Sequence, residues 1–579
     1  MTDRARESLL VAALAVLPLL PFLDKAVCID GPVFVAVAHQ ILESPLDPFG
    51  FQMVWDPTSV EAAEFNRNPP LLSYYLALWM TLFGDAEVVL HAAVLPFPLI
   101  AALSFLGIAR RLVDPQSGLA STALLVTTPA FVVLATTLML DIPMLACLLA
   151  AVYALLRGRE PGGGAWLWGA GFAAAATGLM KYIGFCAAPL LAAGALLLCP
   201  RPTAALLRVL APPVVIWGVW GAWTAHLYGS VHFLGSSDVV LGRSLDPDEF
   251  WNQIVSTPIY YGGALVFPLV LWVRSLLRGR GGSELAVAGI LVGTAVAYWV
   301  LPEGEPPRRH PIQIEETVFA AASFAAGLFL WGFLLLPRRL LEGPEARFLG
   351  LWIGGHLLFT LFLNWHVNAA DALLAAPPVL LLLFRDAELR PPKRLVVVCV
   401  ALALPLSVLL ALADAVQANF YREAARRAVI EIGTRSGARW FVGHWGLQHY
   451  FEEQGFEAVL PPQYGRSDLA VDDWVATARN VSQLDVSKNM QRYRLREIWA
   501  WEKRHWLPLR TTNADASAGF YSHHAGYFPY AWSREPVERV QLGRVVRAFR
   551  APASKSGAVS KPRPAAGPAA GPAAQPATP

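Results

Sequence analysis

Thirteen apolar runs dominate the chain up to position 413, near 8–23, 88–109, 118–137, 142–156, 166–180, 183–199, 204–224, 259–273, 284–302, 314–336, 348–363, 372–384 and 395–413. Crossing about 30 Å of hydrocarbon takes roughly 17–25 residues of helix. Inside lipid a helix satisfies its own backbone hydrogen bonds, so repeated runs of this kind predict an α-helical, polytopic membrane bundle. Composition agrees, with 55% hydrophobic and 15% charged residues, against about 25% charged in soluble domains. The 46 basic and 43 acidic residues leave a net charge of +3. That lacks the concentrated basic excess of a nucleic-acid binder, and no nucleic-acid partner is expected. The five cysteines (Cys28, Cys147, Cys186, Cys199 and Cys399) offer neither a disulfide framework nor a paired metal spacing. The first run lacks a small-x-small exit and reads as a retained span rather than a cleaved signal.

Loop charge sets the orientation. With the N-terminus inside, eighteen Lys and Arg residues fall on the cytoplasmic side, Arg110, Arg111, Arg157, Arg159, Arg338 and Arg339 among them. Six fall opposite: Lys25, Arg67, Lys181, Arg243, Arg308 and Arg309. This is a positive-inside bias, and thirteen spans leave the C-terminal region outside. The outer face then carries two large loops, 24–87 and 225–258, and a polar segment, 414–550. Residues 69–84, PPLLSYYLALWMTLFG, are short and aromatic, which suits a helix lying at the outer interface; a short true span is the alternative. The domain reading is therefore a membrane unit at 1–413, a small α/β domain at 414–550, and an Ala/Pro-rich tail at 551–579 with the composition of disorder. Within 414–550, Trp440-Phe441-Val442 predicts a strand, Leu447 to Gln454 a helix ended by Gly455, and Val545 to Phe549 a late strand.

A charge at the bilayer centre costs roughly 2.5–3.5 kcal/mol on insertion scales, so charges flanking apolar runs invite a reason. Four stand out on the outer side: Asp30 after the first run, Asp141 in TLMLDIP, Lys181 in GLMKY, and Arg243 in the second large loop. Cations can hold a phosphate, Arg bidentately, and a carboxylate can act as general base toward a hydroxyl. Each also has a plain structural role open to it. Asp30 and Asp141 can cap helices that open at Pro32 and Pro143. Lys181 can be a snorkelling anchor, and Arg243 a solvated charge. The Asp246-Pro247-Asp248 pair has a spacing that can hold a divalent ion, but with Glu249 it reads better as a helix start. His310, His366, His444, His449, His523 and His524 show no zinc-like spacing.

The order of these pieces resembles a known family. Asp30 comes first, then Asn68-Pro69-Pro70-Leu71-Leu72 running to Leu82-Phe83-Gly84, then Thr128-Pro129, Leu140-Asp141 and Gly178-Leu179-Met180-Lys181. This resembles the bacterial lipid-linked-sugar glycosyltransferases of the GT-C fold, which group with the protein O-mannosyltransferases and the aminoarabinose transferases of lipid A. The likeness implies a polyprenyl-phosphate sugar donor, a lipid, glycan or protein acceptor, and inverting transfer at the periplasmic face of a bacterial inner membrane. It implies a catalytic acid at Asp30, a second acid at Asp141 and a donor-phosphate contact at Lys181; Arg243, a cation on the same outer side, is our own expectation as a second phosphate-binding residue. No cofactor is assigned, and a divalent cation is compatible with the reading. The chain departs from the pattern at four places: Asp30-Gly31 stands for Asp-Glu, Asn68 for Lys or His, Asp371-Ala372 for Arg-Tyr, and His91 for Arg.

Two other classes stay open on the residues. A transporter or flippase would bury its charges in mid-span, on broken, inverted-repeat helices. A non-catalytic partner that only presents the outer domain would tolerate loss of Asp30, Asp141 and Lys181 together.

Overall fold

The computed structural model describes residues 2–55, 60–235, 247–278, 318–319, 321–328, 342–364, 366–385, 390–460, 468–481, 490 and 493–548. The chain is a polytopic helical membrane bundle with a small C-terminal sheet region. Five helical stretches are long and apolar enough to cross a bilayer: Asp3–Phe22, Glu87–Leu112, Asp141–Gly158, Pro202–Tyr228 and Lys393–Ile432. Two bent pairs raise this to seven when each is one span: Pro115–Val126 with Pro129–Ala135, at 59°, and Phe250–Leu265 with Phe267–Arg274, at 92°. The runs expected at 166–180, 183–199, 348–363 and 372–384 are also helical, as Gly164–Met180, Tyr182–Leu198, Gly343–Leu358 and Ala369–Arg385. The expected span at 284–302 lies outside the described residues, as does most of 314–336.

Among the described residues, then, continuous crossing helices are fewer than the apolar runs. Local chemistry interrupts them. Thr128 leaves the helical region and its hydroxyl accepts from Phe131 N at 3.2 Å, while Pro129 opens a new helix. That cap makes the bend. Lys181 is extended, with φ −155° and ψ 136°, and separates Gly164–Met180 from the next turn. The Pro-Pro-Leu segment forms a 13-residue helix, Leu71–Phe83, about 20 Å long. It buries Leu72, Leu76 and Met80 and exposes Leu78, Leu82 and Phe83, an apolar outer face suited to an interface.

The last long helix, Lys393–Ile432, has 40 residues and so is about 60 Å long, roughly twice the hydrocarbon thickness. It runs unbroken past position 413. Its first part exposes Val397 and Leu402, as a lipid-facing helix does. Its second part buries Asp414, Phe420, Tyr421, Ala424 and Ala428 against the C-terminal region. The helix is thus both a span and the stalk on which the sheet sits.

That sheet has five strands, in the order Glu457–Ala458, Arg439–Val442, Trp474–Ala478, Glu538–Ala548 and Tyr493–Lys503. The first three run parallel and the last two pair antiparallel. Helix Trp445–Glu453 crosses between the first two strands of the chain, and Gly455 follows at φ +75°, a value that favours glycine. The strand at 440–442, the helix ended by Gly455 and the strand through Val545 fall where the sequence puts them. Buried Glu538 fastens sheet to stalk. It accepts from the backbone N–H groups of Arg479 (3.0 Å) and Asn480 (3.1 Å) and from the Tyr421 hydroxyl (2.5 Å).

Candidate functional site

Asp141 is the first residue of its helix, yet its carboxylate caps nothing. It accepts from Lys181 Nζ at 2.8 Å across 40 residues of sequence. Asp141 is 3% exposed, and the Lys181 side chain keeps 29% of its surface open. The capping and anchoring roles therefore give way to a partly buried ion pair. Lys181 sits where one helix has ended and the next has not begun, so its ammonium points back over the first turn of Asp141–Gly158. Burial works against its charge. The carboxylates of Asp141, Asp371 and Asp30, in that order of influence, more than offset this and hold its pKa above the ordinary lysine value.

Asp30 completes the meeting of distant residues. It precedes helix Gly31–Glu43 and makes no side-chain cap bond. Burial pushes its carboxyl up to about 6; Lys181 pulls it down and Asp141 pushes it up again. It is the acid of the group that, as a residue, keeps part of its surface exposed, and its side chain makes no cap bond. The backbone before it is strained, with Ile29 at φ +53°, an outlier for a β-branched side chain. The residue after it must be small. A Cβ on Gly31 would lie 2.9 Å from Val27 Cγ1 and 3.5 Å from Leu138 Cβ. Gly31→Ala is expected to destabilise the protein by about 1–3 kcal/mol through overpacking. Thermal unfolding in detergent measures this, and an unchanged midpoint would contradict the packing argument.

A third acid joins the pair. Asp371, 4% exposed, stands in the first turn of Ala369–Arg385 and accepts from Asn368 N (2.9 Å) and Asn364 Nδ2 (3.1 Å). Its carbonyl oxygen accepts from His356 Nε2 at 2.8 Å. Sequence reading noticed position 371 only as a departure from a family pattern. The signal was the one that exposed Asp141, a carboxylate at the mouth of an apolar run. Beside Lys181, Tyr182 shares a 2.6 Å hydrogen bond with His232 Nδ1 and accepts from Trp220 Nε1 at 3.0 Å. His232 stacks on Phe49 at 4.7 Å. These rings pack on one another beside the backbone of residue 181.

Arg243 lies outside the described residues, as does Asp246. A helix does begin at Pro247, as the acidic Pro-containing segment predicts. Among the described residues, no three His, Cys, Asp or Glu side chains gather to hold a metal ion. Asp141 is bonded to the lysine, and Asp371 and Asp30 act on it through their charge. All charged members stand at helix ends, unlike the mid-span charges of a transport pathway.

Residues 67–220 match the family model described as dolichyl-phosphate-mannose-protein mannosyltransferase. None of the curated proteins matches the chain. Among solved structures, ArnT from Cupriavidus metallidurans in the apo state is 14% identical, covering 86% of this chain and 97% of its own, with a TM-score of 0.43. The Archaeoglobus fulgidus oligosaccharyltransferase is 12% identical over 84% of this chain and 70% of its own, with a TM-score of 0.39. The S. cerevisiae Pmt1-Pmt2 complex is 19% identical over 40% of this chain and 33% of its own, with a TM-score of 0.28. The family match spans the helix Leu71–Phe83, Asp141 and Lys181, and on it the chain resembles the lipid-linked-sugar glycosyltransferases, the protein O-mannosyltransferases among them.

Proposed function

We propose that the chain is a membrane glycosyltransferase that moves a hexosyl or pentosyl group from a polyprenyl-phosphate donor to a hydroxyl or phosphate of a periplasmic lipid, glycan or protein. The observation that carries this is the juxtaposition of a partly exposed acid, Asp30, with the Lys181–Asp141 ion pair at one end of the bundle. Asp30 takes the proton of the acceptor hydroxyl as its oxygen forms a bond to the anomeric carbon. The bond from that carbon to the donor phosphate breaks in the same step, so the configuration inverts. The leaving polyprenyl phosphate takes the electron pair, and Lys181 offers it a fixed positive charge. Asp141 holds Lys181 in place, and Asp371 adds to the negative field that keeps the lysine protonated. Three carboxylates around one ammonium leave the described cluster net negative when all are ionised. The donor phosphate therefore calls for a second cation, and Arg243 is the residue we assign to it. The reacting end faces the periplasm, and the donor lipid enters sideways from the outer leaflet of a bacterial inner membrane.

Deleting the protein is expected to remove one sugar from a lipid, surface glycan or protein and to accumulate its polyprenyl-phosphate donor. Mass spectrometry of lipids and envelope glycans checks both. An unchanged glycan profile with no donor accumulation would reject the reading.

A further inference from the structure

The C-terminal region sends one segment, Thr511 to His523, against the membrane unit; it touches the approaches to Asp141 and Asp371 directly and reaches the approach to Asp30 through Asp414. Lys25, five residues before Asp30, is fully buried. Its ammonium donates to Asp414 Oδ2 at 2.6 Å and to Thr137 Oγ1 at 2.7 Å. Thr137 lies four residues before Asp141. Thr511 donates to Asp414 Oδ1 at 2.6 Å and Tyr521 to Asp414 Oδ2 at 2.8 Å. The Tyr521 and Thr137 hydroxyls lie 3.1 Å apart. On the third approach, Ala369 N donates to Phe520 O (3.0 Å), His523 N to Val367 O (2.9 Å) and Val367 N to His523 Nδ1 (3.0 Å). Asp371 follows directly.

A buried ion pair stabilises little by itself, because desolvation cancels most of the attraction. What such a pair supplies, with both Asp414 oxygens accepting and the Lys25 ammonium donating twice, is a preferred arrangement. Here that arrangement joins parts of the chain hundreds of residues apart. Strained Ile29 borders a small cavity lined also by Cys28, Asp414, Tyr421, Trp445 and Thr512.

We propose that the segment from Thr511 to His523, working through the Asp414–Lys25 pair, is a positioning clamp that holds the three acid-bearing approaches around Lys181. Thr511, Tyr521, Asp414 and Lys25 are positioning residues and touch no substrate. The clamp's effect on rate rests on the glycosyltransferase reading; its effect on the backbone does not.

The test uses the full-length protein in detergent, comparing wild type with Tyr521→Phe and with Thr511→Val/Tyr521→Phe. Amide hydrogen exchange is expected to quicken about tenfold at 24–31, 136–141 and 366–371 together, with the 474–478 and 538–548 strands unchanged. In the transfer assay, kcat is expected to fall about tenfold with donor KM unchanged, and Thr511→Ser should keep the wild-type rate. A gain confined to 511–523, or a uniform gain that Tyr521→Phe alone reproduces, would overturn the clamp. Exchange decides it even where transfer cannot be detected in the wild type, so the two readings fail separately.

Discussion

Asp30→Asn is expected to lower sugar transfer by about 10²–10⁴-fold, the usual contribution of a general base, while the protein keeps its fold. The amide has nearly the shape of the carboxyl, and the Asp30 side chain makes no cap bond to lose. The same residue sets the acid side of the pH profile. A base works only when ionised, and burial has raised the Asp30 carboxyl to about 6. Wild-type rate is therefore expected to be flat above that value and to fall about tenfold per pH unit below it. The residual activity of the Asn variant should lack that acidic limb. The measurement is transfer from lipid-linked sugar in proteoliposomes between pH 4.5 and 8, values taken about the ordinary and raised carboxylate range. An unchanged rate in the Asn variant would remove Asp30 from the reaction. A retained acidic limb would assign the titration to another group.

The residues that sequence reading could find were those whose local surroundings were already odd. Asp141 and Lys181 each border an apolar run, and a charge there asks for a partner; the structure gives each to the other. Asp371 has the same signature but was masked by comparison with a pattern that has a different residue at that place. The strand at 440–442 and the glycine-ended helix after it were legible because alternation and helix stops are local signals. The Lys25–Asp414 pair was not, since 389 residues separate its members and nothing in either neighbourhood names the other. The long helix shows a different limit. Polarity rises at Asp414, where the sequence reading ends the membrane unit, but helical hydrogen bonding does not respond to lipid and continues to Ile432. An apolar run can likewise hide a bend, because a Thr cap followed by Pro, as at Thr128-Pro129 inside 118–137, breaks a helix without breaking hydropathy.

Lys181→Met carries the other large effect, and it divides into two parts. Removing the ammonium leaves Asp141 almost fully buried without its counter-ion and within the field of Asp30 and Asp371. Breaking such a pair costs about 3–5 kcal/mol when it is fully buried. The partly open lysine puts the expected loss near the lower end, about 3 kcal/mol. Asp141→Asn in the same chain removes the stranded charge, so the double variant should regain most of that stability, a non-additivity that a thermodynamic cycle measures directly. Transfer should behave otherwise. The leaving phosphate loses the lysine's positive charge in both variants, and losing one preorganised stabiliser of developing charge costs about 10²–10³-fold in rate. The double variant is therefore expected to be stable and still inactive. If restoring stability also restored transfer, Lys181 would be only the counter-ion of Asp141, and the donor phosphate would have to be held elsewhere.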